Sequence, residues 1–138
     1  MIYDDFKIGY RGSFTRQITE ELNKQFGELI GDFNPVHFDE KRMKKSIFGK
    51  RATNAFLTES TIAVALVDMF TSDECVVIAL KKDITLTAPV FINDTITCEV
   101  VVTERIPEKQ RLVCSISIKK QDGTEVVQAK FLVKILQV

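Results

Sequence analysis

Apolar residues change rhythm near residue 74. Before it they recur at helical spacing, and after it they alternate with polar residues. Residues 19–30 put Leu22, Phe26, Leu29 and Ile30 on one stripe, the spacing of an amphipathic helix. Thr19 is its expected cap, Glu20 and Glu21 suit the positive end, and Gly31 suits the stop. Residues 39–45 predict one or two exposed helical turns capped by Asp39. Residues 55–70 are apolar nearly all round. Phe56, Leu57, Ile62, Val64, Leu66, Val67, Met69 and Phe70, with Ala63 and Ala65, leave little polar face. That pattern predicts a buried helix, roughly 24 Å long and capped by Thr53 or Asn54.

From Glu74 onward the period is two. In 94–104, Ile96, Cys98, Val100 and Val102 share a face; in 111–119, Leu112, Cys114, Ile116 and Ile118 do. In 126–136, Val127, Ala129, Phe131, Val133 and Ile135 oppose Gln128, Lys130 and Lys134. These read as half-buried strands, the last two joined by a hairpin turn at Asp122-Gly123. Residues 75–80 and 82–87 read as two more strands, 8–17 as a candidate strand, and 106–110, with Pro107, as a connection. The expected fold class is α+β: one antiparallel sheet wrapped around one long apolar helix, in one domain spanning residues 1–138. The open sheet edges predict pairing with a second copy of the chain.

Bulk composition narrows the function. Hydrophobic residues make up 45% and charged residues 28% of the 138, the balance of a soluble globular protein. With 19 basic and 19 acidic residues there is no basic excess to hold a polyanion, so nucleic acid is not the expected partner. The start, Met1-Ile2-Tyr3-Asp4-Asp5, lacks the pattern of a signal peptide, and no uncharged apolar run reaches membrane-spanning length. Cys75, Cys98 and Cys114, an odd set among apolar neighbours, suggest reduced thiols and a cytoplasmic setting. One histidine excludes a multi-histidine metal site within one chain, and the cysteines are too scattered for a CxxC zinc site, so no metal is expected.

That one histidine ends the string Gly31-Asp32-Phe33-Asn34-Pro35-Val36-His37. A proline in the middle argues against a regular helix or a central strand through the segment. The expectation is a rigid loop that aims Asp32 and His37 at a common point. An acid and a base held together can move protons in opposite senses across one substrate. An isolated pair at this spacing would instead read as a capping Asp and a packing His.

The whole string changes that balance. Gly31-Asp32-x-Asn34-Pro35-x-His37, followed by Phe38-Asp39 and Phe48-Gly49, resembles the MaoC-like (R)-specific enoyl-CoA hydratases of the hotdog superfamily. Leu86-Thr87-Ala88-Pro89-Val90-Phe91-Ile92-Asn93-Asp94-Thr95 is similar to the strand and turn of the same family. The resemblance implies a hotdog fold and reversible hydration of trans-2-enoyl-CoA to (R)-3-hydroxyacyl-CoA. It implies a catalytic pair at Asp32 and His37, one activating water and the other donating the second proton. The sequence leaves open which does which; the assignment adopted as an expectation makes His37 the base and Asp32 the donor, with Asn34 orienting the two. It also implies that the backbone N–H of Ala55 polarises the thioester oxygen at the start of the long helix. The long apolar helix reads first as core and second as the wall of an acyl tunnel, and Phe56 and Leu57 could serve as both, binding the substrate's acyl chain. Family members commonly carry His-Gly where this chain has Asn54-Ala55, and several place a serine where it has Ala63. No resident cofactor is implied, because the coenzyme A or acyl-carrier-protein thioester is the substrate. The implied assembly is a homodimer with the acyl tunnel near the subunit boundary.

Competing readings attach to particular residues. Glu59 is a first-turn acid favoured by the helix dipole, or a carboxylate for thioester hydrolysis as in another hotdog branch. Lys41, Arg42, Lys44, Lys45, Lys50 and Arg51 form a solvated face or meet the phosphates of coenzyme A. A hotdog thioesterase and a non-catalytic acyl-CoA binder are therefore the alternatives to a hydratase.

Overall fold

A computed structural model describes all 138 residues. After a 3₁₀ turn at Tyr3–Asp5, β1 (Arg11–Gln17) leads into α1 (Glu20–Ile30). Two single turns follow, α2 (Pro35–Phe38) and α3 (Glu40–Met43), and then the long helix α4 (Ala55–Phe70). Four strands complete the chain: β2 (Cys75–Leu86), β3 (Thr95–Ile106), β4 (Arg111–Lys120) and β5 (Glu125–Gln137). They form one antiparallel sheet with β1, in the order β1-β3-β4-β5-β2.

The caps explain where the helices begin and end. Thr19 accepts a hydrogen bond from the Leu22 N–H, and Asp39 accepts one from the Arg42 N–H. Gly31 ends α1 in the left-handed region at φ 77°, a conformation that costs glycine little. Pro35 does not keep its segment out of a helix, as the sequence reading had it. It occupies the first position of α2, where its missing N–H is no loss, and Asn34 caps the turn. The expected loop is therefore a helical turn that carries His37.

The alternating faces meet α4. Ile96, Cys98, Val100, Val102, Leu112, Cys114, Ile116, Ile118, Val127, Phe131, Val133 and Ile135 are buried against Leu57, Ile62, Ala65, Leu66, Met69 and Phe70. This is the sheet-around-helix arrangement of a hotdog fold. Burial pushes the Cys98 and Cys114 thiols up to about 12, so both stay protonated and pack as small apolar groups. Two expectations need correction. Residues 75–80 and 82–87 are one strand, β2, whose register with β5 shifts between Ala79 and Lys81; an irregularity at Leu80 breaks the alternation without ending the strand. And α4 is not buried all round, because Phe56, Ala63 and Val67 lie on an exposed flank. That flank lies beside β2, at an open edge of the sheet.

Candidate active site

Three elements converge on His37. α1 ends at Gly31, and the Gly27 carbonyl accepts from the N–H groups of both Gly31 and Asp32, which fixes where the chain turns. Gly27 is also where α2 approaches α1. A Cβ there would run into the tip of Phe38, the neighbour of His37. Asn23, buried inside α1, donates to the His37 carbonyl. The backbone of His37 is thus held by α1, and its ring lies against the segment that leads into α4.

His37 Nδ1 lies 2.8 Å from the Ala52 carbonyl. A carbonyl only accepts, so Nδ1 carries the hydrogen and Nε2 is the nitrogen free to exchange a proton. Nε2 stands 3.8 Å from Asp32 Oδ2, too far for a direct hydrogen bond and close enough for one water to bridge. Both carboxylate oxygens accept other bonds: Oδ1 from the Asn34 N–H at 3.0 Å, Oδ2 from the Asn54 amide at 2.9 Å. Both partners are N–H donors, so each oxygen acts as an acceptor. Asp32 is about one-third exposed, and the His37 side chain only 11%.

His37 lines a pocket of about 390 Å³. Its walls are mainly apolar: Val36, Phe48 and Ala52 on one side, Leu86 to Val90 with Val126 and Val127 on the other, and Ala55 and Thr58 from α4. Ala55 is the first residue of α4, and its N–H makes no hydrogen bond within the chain. Ala55, which carries the free donor, and His37 therefore line one mainly apolar cavity, at the positive end of a sixteen-residue helix.

Some expected residues are elsewhere. Asn34 meets the pair through its backbone and not its side chain: its N–H donates to Asp32 Oδ1, its carbonyl accepts from the His37 N–H at 2.9 Å, and the side chain caps α2 through the Val36 N–H. Phe56 and Leu57 do not line this pocket. Leu57 is 2% exposed in the core, and Phe56, 67% exposed, borders a separate groove of about 330 Å³ with Glu59, Ala63, Lys82 and Phe131. Helical geometry is the reason: Thr58, three residues after Ala55, shares its face, whereas Phe56 and Leu57 are turned roughly 100° and 200° away. Glu59 faces that second groove. Its carboxyl is held above the ordinary range by burial, partly offset by Lys82. Arg51 is withdrawn from the basic cluster, since it binds both Glu20 oxygens at 2.7 and 2.9 Å and Glu40 at 2.7 Å. Lys50 stands over the Phe91 ring at 4.3 Å, and Phe91 packs on Phe48 of the pocket wall.

The sequence reading missed the Asn54 amide on Asp32 and the Thr58 side chain in the pocket wall. Helical spacing from Ala55 was the signal for Thr58; nothing local signalled the first.

Known proteins share this architecture. The MaoC like domain family matches residues 7–124. A 3-hydroxybutyryl-CoA dehydratase of Methylorubrum extorquens is 30% identical, over 98% of this chain and 84% of its own length. An (R)-specific enoyl-CoA hydratase of Rhodospirillum rubrum is 28% identical, over 85% of this chain and 83% of its own. The unliganded R-hydratase PhaJ1 of Pseudomonas aeruginosa superposes with a TM-score of 0.85 at 26% identity, covering 99% of this chain and 89% of that one. With a match that spans most of its length and a fold shared almost end to end, the chain belongs to the MaoC-like domain family.

Proposed function

We propose that this protein is a hydro-lyase that interconverts trans-2-enoyl-CoA and (R)-3-hydroxyacyl-CoA by adding or removing water. The observation that carries the reading is His37 Nε2 facing Asp32 Oδ2 across 3.8 Å, beside a mainly apolar pocket lined by His37 and by Ala55, whose N–H is unpartnered. The relatives named above add weight to it. The hydrogen bonds around the pair favour one of the two assignments the sequence left open: Asp32, surrounded by donors, as the base and His37 as the acid. Asp32 takes a proton from water as the water oxygen bonds to C3. The electron pair of the double bond moves toward C2 and the thioester oxygen, where the Ala55 N–H meets the growing charge. Nε2–H of a doubly protonated His37 delivers a proton to C2. Proton transfer from Asp32 to His37 through the next water restores both groups. The chain's own groups carry every proton, so no resident cofactor or metal takes part, and the coenzyme A thioester is substrate.

Purified protein with crotonyl-CoA tests this reading. The expected result is loss of the double bond, formation of (R)-3-hydroxybutyryl-CoA and no free thiol. Thiol release without hydration would make it a thioesterase, and tight binding without turnover a non-catalytic binder. Either result contradicts the proposal.

The working assembly is a homodimer in a reducing, cytoplasmic setting. Support for the dimer comes from edge strand β2, whose Ile78, Leu80 and Leu86 are exposed beside the open Phe56–Val67 flank of α4. Support for the compartment comes from three free, buried thiols. No helix is long and apolar enough to cross a membrane.

A further inference from the structure

Asn54 joins the carboxylate, the helix start and the oxyanion donor. Its Oδ1 accepts from the Phe56 N–H at 2.8 Å. A backbone N–H only donates, so this bond fixes which end of the amide is oxygen and turns Nδ2 toward Asp32 Oδ2, 2.9 Å away. The residue is 3% exposed. Its donor is therefore sheltered from water and its bond to a charged acceptor is weakened little by solvent.

We propose that Asn54 is a positioning residue: its amide locks Asp32 in the rotation that aims Oδ2 at His37, and ties that carboxylate to the first turn of α4. The role rests on the hydratase reading. Capping alone does not require asparagine, because serine and aspartate cap equally well. Serine, with one short hydroxyl, has no separate donor to extend past the cap, and aspartate has no donor at all. Asparagine places an acceptor and a donor on two atoms and serves both partners at once. The two bonds to Asp32 arrive from opposite sides of the site, Asn34 N–H from the α2 side and Asn54 from α4. The free Ala55 N–H follows Asn54 directly in the chain. One side chain therefore sets the distance between the proton acceptor and the oxyanion donor.

The charged groups on the surrounding elements are few. His37 on α2 is the only basic side chain within 4.0 Å of the Asp32 carboxylate. Arg51, before α4, is engaged by Glu20 and Glu40, and Glu59 on α4 borders the other groove. Removing the Asn54 donor thus leaves Asp32 with the Asn34 N–H and the imidazole.

Two substitutions separate capping from positioning. Asn54→Ser keeps the cap and removes the donor. Asn54→Asp keeps the cap and sets a second carboxylate against the first. Both should fold; Asn54→Ser should melt close to the wild type, and Asn54→Asp lower, because it buries a second carboxylate against the first. Asn54→Ser should lower kcat with crotonyl-CoA about tenfold to a hundredfold, the worth of a hydrogen bond to a charged group, with KM little changed. The acidic limb of the kcat/KM profile should move to higher pH in both variants, and further in Asn54→Asp, where like charges oppose ionisation. His37 is the only histidine, so its imidazole proton signals can be followed by NMR without turnover; in Asn54→Asp its titration should also move to higher pH. Wild-type kcat and an unmoved acidic limb in Asn54→Ser would overturn the role. So would a lost kcat with an unmoved limb and a lowered melting point, which is the signature of a cap alone. If the wild type itself does not hydrate crotonyl-CoA, the hydratase reading fails. The NMR titration then decides separately whether Asn54 acts on the Asp32–His37 pair, and an unmoved signal in Asn54→Asp overturns that contact.

Discussion

At Asp32 and His37 the chemistry follows from which atoms are already occupied. Nδ1 of His37 is committed to Ala52, which leaves Nε2, and both Asp32 oxygens hold N–H donors while Oδ2 still faces the imidazole. Asp32→Asn cannot accept a proton, and His37→Gln cannot carry one. Each should lower crotonyl-CoA hydration by at least about a hundredfold, the low end for a positioned acid or base. Melting curves of the same preparations should show folded protein in both cases. Near-normal turnover in either variant contradicts the assigned route. The Asp32–His37 pairing was legible in the chain because the seven-residue string is local and its proline stiffens it. The roles within the pair were not, because the donor that marks Asp32 as an acceptor comes from Asn54, 22 positions away. Asn34 touches both members of the pair through its backbone, while its side chain does the ordinary turn chemistry of asparagine before proline and accepts from the Val36 N–H.

Elements, more than single residues, set the distances in the site. α4 supplies an N–H with no partner at its first residue, and the preceding residue, Asn54, has φ −66° and ψ 125°. That backbone suits the residue before a proline, and proline itself is tolerated at the first helical position. Ala55→Pro should therefore fold, keep the Asn54 cap and lose only the N–H. Turnover should fall about a hundredfold to a thousandfold if the donor acts as other oxyanion-hole groups do. Full activity in folded protein would show that the thioester oxygen is held elsewhere. On the far side of the pair, α1 meets α2 through Gly27. A methyl there gains about 1 kcal/mol of helix propensity but must displace Phe38, and forced overpacking costs typically about 1–3 kcal/mol. Gly27→Ala should leave stability unchanged or lowered in urea unfolding, and should reduce kcat because Phe38 adjoins His37. Increased stability with unchanged kcat would show that Phe38 moves aside freely. Helix limits were readable from Thr19, Asp39, Asn54 and Gly31, whose capping chemistry is local. The continuity of β2 was not, since one irregularity at Leu80 shifts the period of everything after it. The exposed flank of α4 was equally hidden, because an apolar helix reads alike whether the sheet or a second chain covers it.

The whole molecule has one acid-sensitive joint and one uncovered side. Burial tends to raise the Asp94 carboxyl, but Gln121, the Phe91 N–H and Lys120 together hold it below its ordinary value. The same group anchors the pocket wall, since Lys120 also donates to the Pro89 carbonyl. A depressed carboxyl stabilises the fold fully above its unfolded value and loses that contribution as pH falls through its folded one. Asp94→Asn should therefore cost about 1–3 kcal/mol at neutral pH and unfold less steeply than the wild type below about pH 4, read from urea midpoints. The uncovered side predicts association. A sheet of five strands has two edges; β1 is seven residues long and presents Arg11, Ser13, Thr15 and Gln17 to solvent. The other edge, β2, runs twelve residues and lies beside a groove lined by Phe56, Ile62, Ala63 and Leu66. Polar residues blunt the first edge, while the second continues into apolar surface, so two copies should meet through β2 and α4. Phe56→Asp tests this without disturbing the protomer. The ring is 67% exposed, so the fold loses little packing, and an acid at the second position of α4 is favoured by the helix dipole. The wild type should sediment as a dimer with a melting point that rises with concentration. Phe56→Asp should shift it toward monomer, and hydration should fall in step if the acyl chain lies near the subunit boundary. A wild type that sediments as a stable, active monomer would contradict both the dimer and that placement of the acyl chain.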